Sequence, residues 1–504
     1  MDDVLVVGGG VAGLATAARL ACRGFRVRLL EMQPHVGGKV RSERVSGEAV
    51  SAGPSVLTMP WVFEELFDDC GGDFWAEVSC ERAGVLARHA WTDGTRFDLF
   101  ADLQASVDAV RATFGPREAD TFRDFMKDAE RIYRTVEGPF IRAHRPGISD
   151  VLRHGKAVGF SSLLQIDGHR ALWSSLGRFR EPRLRQLFGR YATYCGASPF
   201  EAPATLALVA HVEASGVIRV AGGIPALTQA LARLCVRNGV DIVPNAKVER
   251  IEVTRSTRSG VVAGEVRYEA RATVFCGDIS GLSDLVGGDE ARAMRVPLSE
   301  RSLSAVTYCA VGHSKTFPLL HHNVFFSDDY KAEFTDVFER ARTPREPTVY
   351  VCAPDRGDVS DARATERLFF LVNAPATGDR PGAWSTQERN QCKASTFRML
   401  ERCGAAFDLS AMRETTPEEF HERYPGTGGA LYGQRPKGIF ASFKRQGART
   451  RMSGLYLAGG SVHPGPGVPM AALSGALAAE AVEQDLRSTR LSPPAATSGT
   501  ISMP

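Results

Sequence analysis

Three glycines, Gly8, Gly10 and Gly13, stand in the order Gly-x-Gly-x-x-Gly, and an acid, Glu31, follows 18 residues after the last of them. This pattern breaks no bonds; its chemistry is the capture of a pyrophosphate and a ribose. Gly8 permits a tight turn, Gly10 lets backbone approach the phosphates, and Gly13 lets a helix pack closely on a strand. Val11 and Ala12 lie within the same turn, where a helix N-terminus faces the anion, and Glu31 accepts from a ribose hydroxyl. The flanking elements fit the task. Val4 to Val7 is a continuous apolar run, as in a strand buried on both faces. Leu14 to Arg23 reads as an Ala- and Leu-rich helix stopped at Gly24, and Phe25 to Glu31 as a second strand. Strand, turn, helix, strand and acid within about 30 residues predict dinucleotide binding.

Gly37-Gly38-Lys39 follows Glu31 after five residues, with Arg41 close behind. A second glycine pair beside the adenosine end is a feature of tightly held flavin-adenine cofactors, so the expected ligand is FAD. Lys39 or Arg41 is the candidate phosphate contact. Near the other end of the chain, Gly454 to Gly460 reads as a buried strand meeting a glycine pair, Gly459-Gly460. A constrained loop, His463 to Pro469, leads into a small-residue helix from Met470 to Glu483. A late return to the first sheet supplies the second wall that a flavin needs, with Val468 and Met470 beside it and the helix N-terminus aimed at the flavin C2 carbonyl. Val248, opening an alternating strand over 247–253, completes the cofactor-binding set. No Cys or His is placed for an obvious covalent link, so the FAD is expected to be held non-covalently.

Other chemistry is missing. The sequence shows no Ser/His/Asp set, no metal-ligand spacing and no obvious carboxylate pair, so no metal is expected and no catalytic residue is assigned. His463 is the tempting acid or base, although a loop-stabilising role is the stronger expectation. Tyr432 is expected to pack. A cofactor that brings its own reactivity fits this pattern. Composition agrees: 504 residues, 43% hydrophobic, with 61 basic against 58 acidic residues for a net charge of +3, describe a globular chain with no general case for nucleic-acid binding. Ten scattered cysteines favour a reducing cytosol over a disulfide scaffold. Met1-Asp2-Asp3 carries the wrong charge for a signal peptide, and no segment is apolar for long enough to span a bilayer.

The organisation is discontinuous. An α/β pattern over 1–85 resumes at 215–290 and again at 445–490; these three stretches are expected to form the FAD-binding domain. Residues 86–214, read as helix-rich, and the mixed stretch 291–444 are expected to form the substrate domain. The Ser-, Thr- and Pro-rich tail 491–504 is expected to fray. The fold class is therefore α/β: a Rossmann-type FAD-binding domain, in an amine-oxidase-like two-domain flavoprotein, with an inserted α+β substrate domain.

Nearly the whole chain resembles the bacterial phytoene desaturase family of carotenoid dehydrogenases. The resemblance rests on the N-terminal fingerprint and on Ser51-Ala52-Gly53-Pro54-Ser55, where Ser51 replaces the usual acid. It also rests on Gly222-Gly223 followed by Leu227, and on Leu455 to Gly465. Leu57 to Phe67, Arg190 to Pro199 and Gly467 to Gly475 look most like the 1-hydroxy- or methoxyneurosporene 3,4-desaturases. The resemblance implies FAD-dependent 3,4-dehydrogenation of an acyclic C40 carotenoid carrying a hydroxyl or methoxyl at C1. Reoxidation by quinone or oxygen, and a cytoplasmic protein held peripherally on the inner membrane, complete the expectation. Val158 to Leu164 and Ala171-Leu172-Trp173 are candidates for the membrane-facing patch. A phytoene or neurosporene desaturase, a flavin amine oxidase and a flavin-bearing escort protein are the alternatives.

Overall fold

The computed structural model describes residues 2–144, 170–253, 259–359, 364–438 and 445–491. Asp2–Val7 is the central strand of a seven-stranded sheet. Val4, Leu5 and Val6 expose no surface, as an apolar run covered on both faces requires. On one side this strand pairs in parallel with Val27–Leu30, which pairs with Asp241–Val243. On the other it pairs in parallel with Val266–Phe275, whose last three residues pair with Leu455–Leu457. The first half of Val266–Phe275 carries an antiparallel meander of Ser259–Ala263 and Val248–Val253. One sheet thus gathers segments from both ends and the middle of the chain.

Helix Val11–Cys22 is buried from Val11 to Ala21. Helices Pro225–Arg237 and Val468–Leu491 cover it, and the second of these comes close because Gly475 has no side chain. A Cβ there would stand 2.5 Å from the Ala12 carbonyl oxygen. The Thr16 hydroxyl, 2.8 Å from Ala12 O and 3.2 Å from Gly475 O, ties the two helices at that point.

The second sheet also has seven strands, in the order Phe407–Thr415, Ser304–Ser314, Glu366–Ala374, Val349–Cys352, His322–Phe325, Val85–Ala90, Arg96–Phe100. Period-two alternation divides its faces. Val306, Tyr308, Ala310, Phe370 and Val372 pack with Met399 and Leu400 of helix Thr386–Arg402. Thr307, Phe369, Leu371 and Tyr350 face the opposite way, into a cavity. The amphipathic helix Pro116–Val136 adds Phe122, Phe125, Met126, Ala129 and Ile132 to the core on that side.

One reading of the sequence is corrected. The helix-rich stretch begins at Leu103, not near 86, because Val85–Ala90 and Arg96–Phe100 form a hairpin on the second sheet. Its turn signal, Asp93-Gly94, is of the type that favours two-strand connections. Of Ala171-Leu172-Trp173, Leu172 has no exposed surface, while Ala171 and Trp173 are half-buried. Trp173 packs 4.8 Å from Phe200 and 5.9 Å from Tyr330, beneath the Arg185 guanidinium. Residues 158–164 and the tail past 491 lie outside the described residues. Among the described residues, no helix is long and apolar enough to cross a membrane.

Candidate active site

The glycine turn is defined by backbone proximity. Gly8 adopts φ +107° against the backbone of Cys276 and Gly277, and a Cβ on Gly13 would overlap the Gly8 carbonyl. Gly10 is different. Its backbone is extended, and a Cβ there would meet nothing nearer than Gly38 Cα at 3.8 Å. Gly37 N donates to Gly9 O at 2.8 Å, joining the two glycine segments, and Gly38 takes φ +59°. No side chain caps helix Val11–Cys22 and no acid sits in its first turn, so its positive end is left open to the cavity. Glu31, 4% exposed, accepts from Gly9 N at 2.6 Å and Gln33 N at 2.8 Å. Burial raises its pKa, opposed by those backbone N–H groups. Val248 is buried, and it lines the cavity beside Ala246, whose N–H donates to Glu31 O at 2.8 Å.

The cavity has a volume of about 2030 Å³ and is lined at one end by Gly8, Gly10 and Gly38, at the other by Thr307, Tyr350 and Asn373. That is at least twice a typical pocket for one small ligand, about 300–1,000 Å³. Gly459 (φ +137°), Gly460, Val468 and Met470 form the second wall. The Ser474 hydroxyl fixes it by accepting from Gly459 N at 3.1 Å.

Cations gather between the walls. Lys39 Nζ donates to Leu431 O at 2.7 Å and lies 4.0 Å from Asp278 Oδ2. Burial lowers its pKa, opposed by Asp278 and aided by Arg445. Arg445 donates to the carbonyls of Gly460 (3.1 Å), Tyr432 (3.2 Å) and Gln434 (2.8 Å). Arg41 pairs with Glu43 at 2.9 Å through one nitrogen, while Nε and Nη2 are buried without a hydrogen-bond partner. These orphan donors, the uncapped helix and the space over Gly10 fit a dinucleotide pyrophosphate.

The far end is polar. Tyr191 donates to Glu213 at 2.7 Å, and Tyr194 donates to the same carboxylate while accepting from Arg190 at 3.1 Å. Ser55 donates to the Tyr350 oxygen, 2.7 Å away, and Tyr350 donates onward to His322 Nδ1, also at 2.7 Å. Burial keeps His322 well below its ordinary pKa, so the ring is neutral and can accept. Glu333 accepts from Thr348 N (3.1 Å) and Asn373 Nδ2 (2.8 Å). Val56, Leu206, Val209 and Leu371 add apolar wall to the cavity.

His463 is 2% exposed; its Nε2 donates to Ala143 O at 3.0 Å and its ring stands edge-on to Phe140 at 4.8 Å. It anchors the loop. Tyr432 lines the cavity against Gly196, and burial pushes its hydroxyl up to about 12. The sequence reading passed over Asp278, Arg445, Gly475, Glu213 and Glu333. For Gly475 a signal existed, a glycine interrupting an alanine-rich helix. The acids and Arg445 look like surface charges in the linear sequence.

Three comparisons fit this geometry. Residues 11–483 match the model of the flavin containing amine oxidoreductase family. The chain is 45% identical over 494 residues to a hydroxyneurosporene desaturase of Rubrivivax gelatinosus, covering 96% of this chain and 94% of the relative. It is 28% identical to a 1-hydroxycarotenoid 3,4-desaturase of a Flavobacterium species, covering 96% and 99%. A solved putrescine oxidase bound to putrescine shares the fold, with a TM-score of 0.63 at 15% identity, covering 96% of this chain and 99% of that one. The cofactor is FAD. With its fingerprint, second glycine wall and shared cavity, the chain belongs to the flavin-containing amine oxidoreductases, in the group that holds the hydroxyneurosporene desaturases.

Proposed function

We propose that this enzyme introduces the C3–C4 double bond into an acyclic carotenoid whose C1 carries a hydroxyl or methoxyl group. One observation carries the reading. A chain 45% identical to a hydroxyneurosporene desaturase over nearly its full length encloses one continuous cavity from the FAD fingerprint to the second sheet. Residues 1–85, 215–290 and 445–490 hold the cofactor in this reading; 86–214 and 291–444 hold the substrate.

Gly8, Gly10 and Gly13, with the N–H groups of Val11 and Ala12, hold the pyrophosphate. Glu31 holds the ribose, Arg41 is the phosphate contact, and Gly459, Gly460, Val468 and Met470 back the ring. FAD supplies the two-electron acceptor for C–H oxidation. The protein's own part is positional. Apolar wall strips water from the polyene and fixes which carbons meet the cofactor. A conjugated chain delocalises developing positive charge, so the neighbouring proton needs no strong base. A C40 polyene is insoluble in water, which supports collection from lipid by an enzyme resting on the inner membrane's cytoplasmic face. Quinone or oxygen is the terminal acceptor.

Cells expressing the gene, supplied separately with phytoene and with a 1-hydroxylated acyclic carotenoid, test the reading. The expected pigment is red-shifted and two hydrogens lighter, formed only from the hydroxylated precursor. Conversion of phytoene to lycopene would overturn the position of the double bond.

A further inference from the structure

Three hydroxyls in the substrate end of the cavity, those of Tyr330, Thr307 and Thr348, are left unpaired by the fold. Tyr330 Oη and Thr307 Oγ1 are buried and have no hydrogen-bond partner, and their residues are 4% and 2% exposed. Both side chains line the cavity, as do Glu333 and Asn373. They come from three separate elements: Thr307 from strand Ser304–Ser314, Asn373 from the neighbouring strand Glu366–Ala374, and Tyr330 and Glu333 from one turn of helix Tyr330–Phe338. A buried hydroxyl left unpaired costs stability. Phenylalanine and valine would fill the same volumes without that cost. Polar groups retained against the interest of the fold at a cavity wall indicate a ligand with a matching polar atom.

We infer that Tyr330, Thr307, Glu333 and Asn373 form a polar subsite that reads the C1 oxygen of the carotenoid. The inference rests on the proposed function and adds what the sequence reading lacked, the residues that distinguish an oxygen-bearing chain from a hydrocarbon. The chemistry of the set is matched. Tyr330 and Thr307 offer O–H donors, which both a hydroxyl and a methoxyl oxygen can accept. The Glu333 carboxyl, already accepting from Asn373 and Thr348, has lone pairs left for the proton of a free hydroxyl.

Its position is also suitable. The 3₁₀ helix Arg190–Cys195 runs along the cavity wall. At its first end, Gly189 abuts the Tyr330 ring; at its last end, Gly196 abuts the Tyr432 ring at the cofactor side. With a rise of about 2 Å per residue, the segment spans on the order of 10–14 Å. The oxygen on C1 is only two carbons from C3, so a subsite that reads it has to stand near the reacting bond.

The test uses the full-length, FAD-loaded enzyme and its Tyr330→Phe/Thr307→Val double variant. Lipid vesicles carrying a 1-hydroxylated acyclic C40 polyene, or its hydrocarbon counterpart, supply the ligand, and induced circular dichroism of the polyene reports binding without turnover. The two substitutions remove only atoms that the fold leaves unpaired, so the variant is expected to keep its flavin and to melt at or above the wild-type temperature. Its preference for the hydroxylated chain over the hydrocarbon should fall at least tenfold. An unchanged preference would overturn the subsite. Should the double variant lose its flavin, the single Tyr330→Phe variant, judged by the same ratio, decides instead. Wild-type protein that binds neither polyene would overturn the proposed function itself, a result separable from loss of preference alone.

Discussion

The two ends of the cavity are built on different principles. At the cofactor end the work is done by backbone: Gly8, Gly10, Gly13, Gly37 and Gly38 bring main chain together, and Glu31 is held by two backbone N–H groups. At the substrate end it is done by side chains from scattered segments. Arg190, Tyr194 and Glu213 form one chain of hydrogen bonds; Ser55, Tyr350 and His322 form another. The difference sets what each end tolerates. A backbone site fails when a Cβ intrudes, whereas a side-chain network fails when one member is removed and its neighbours stay buried.

The most damaging change should be Gly10→Val. The extended backbone and the space above Gly10 accommodate the side chain, so the protein should fold with stability within about 1 kcal/mol of wild type. The branched side chain would occupy the path to the pyrophosphate, so the purified protein should be colourless. A yellow, FAD-loaded Gly10→Val protein would contradict the backbone account of this end.

Glu213→Leu should act in the opposite sense, on stability and not on flavin capture. Tyr191 and Tyr194 would lose their acceptor, and the Arg190 charge would lose its negative neighbour in the interior. The expected loss is about 3 kcal/mol by urea denaturation, as for other buried charge networks that lose a partner. A loss under about 1 kcal/mol would mean the network is not acting as one unit.

The smallest effect is a pH dependence at Glu333. Burial raises its carboxyl pKa, opposed by its bonds from Thr348 and Asn373 and by the charge of Arg190. A carboxyl whose folded pKa is raised contributes stability that is complete below the unfolded value, near 4.5, and lost as pH rises through the folded value. Glu333→Gln removes that loss. Measured against wild type by chemical denaturation, the variant should therefore gain stability steadily as pH rises from 5 to 8. A difference that stays flat over this range would show the carboxyl to be ionised throughout.

Legibility in the sequence follows the same division. Val4 to Val7, the glycine triplet, Gly37-Gly38 and Gly459-Gly460 are recognisable because a tight turn or close backbone approach admits few residue types, and those types stand at fixed spacing. The Asp93-Gly94 hairpin carried a local signal as well, yet the helical stretch around it obscured the two short strands. Leu172 and Trp173 are ambiguous in the sequence because apolar residues beside basic ones suit a membrane surface and a core margin equally. Glu213 and Glu333 carried no signal. An acid on an amphipathic helix looks the same whether it meets water or a tyrosine hydroxyl.

The sequence alone therefore determined that a dinucleotide is bound, and by which turn, since local steric demands on the backbone are written in consecutive residues. Only the tertiary structure decided what the rest of the cavity recognises. Residues 190–194, 213, 307, 330–333, 348–350 and 373 meet there through strand register and helix packing. Whether a buried hydroxyl is paired depends on which distant atoms that packing brings within hydrogen-bond reach, and no local pattern encodes it.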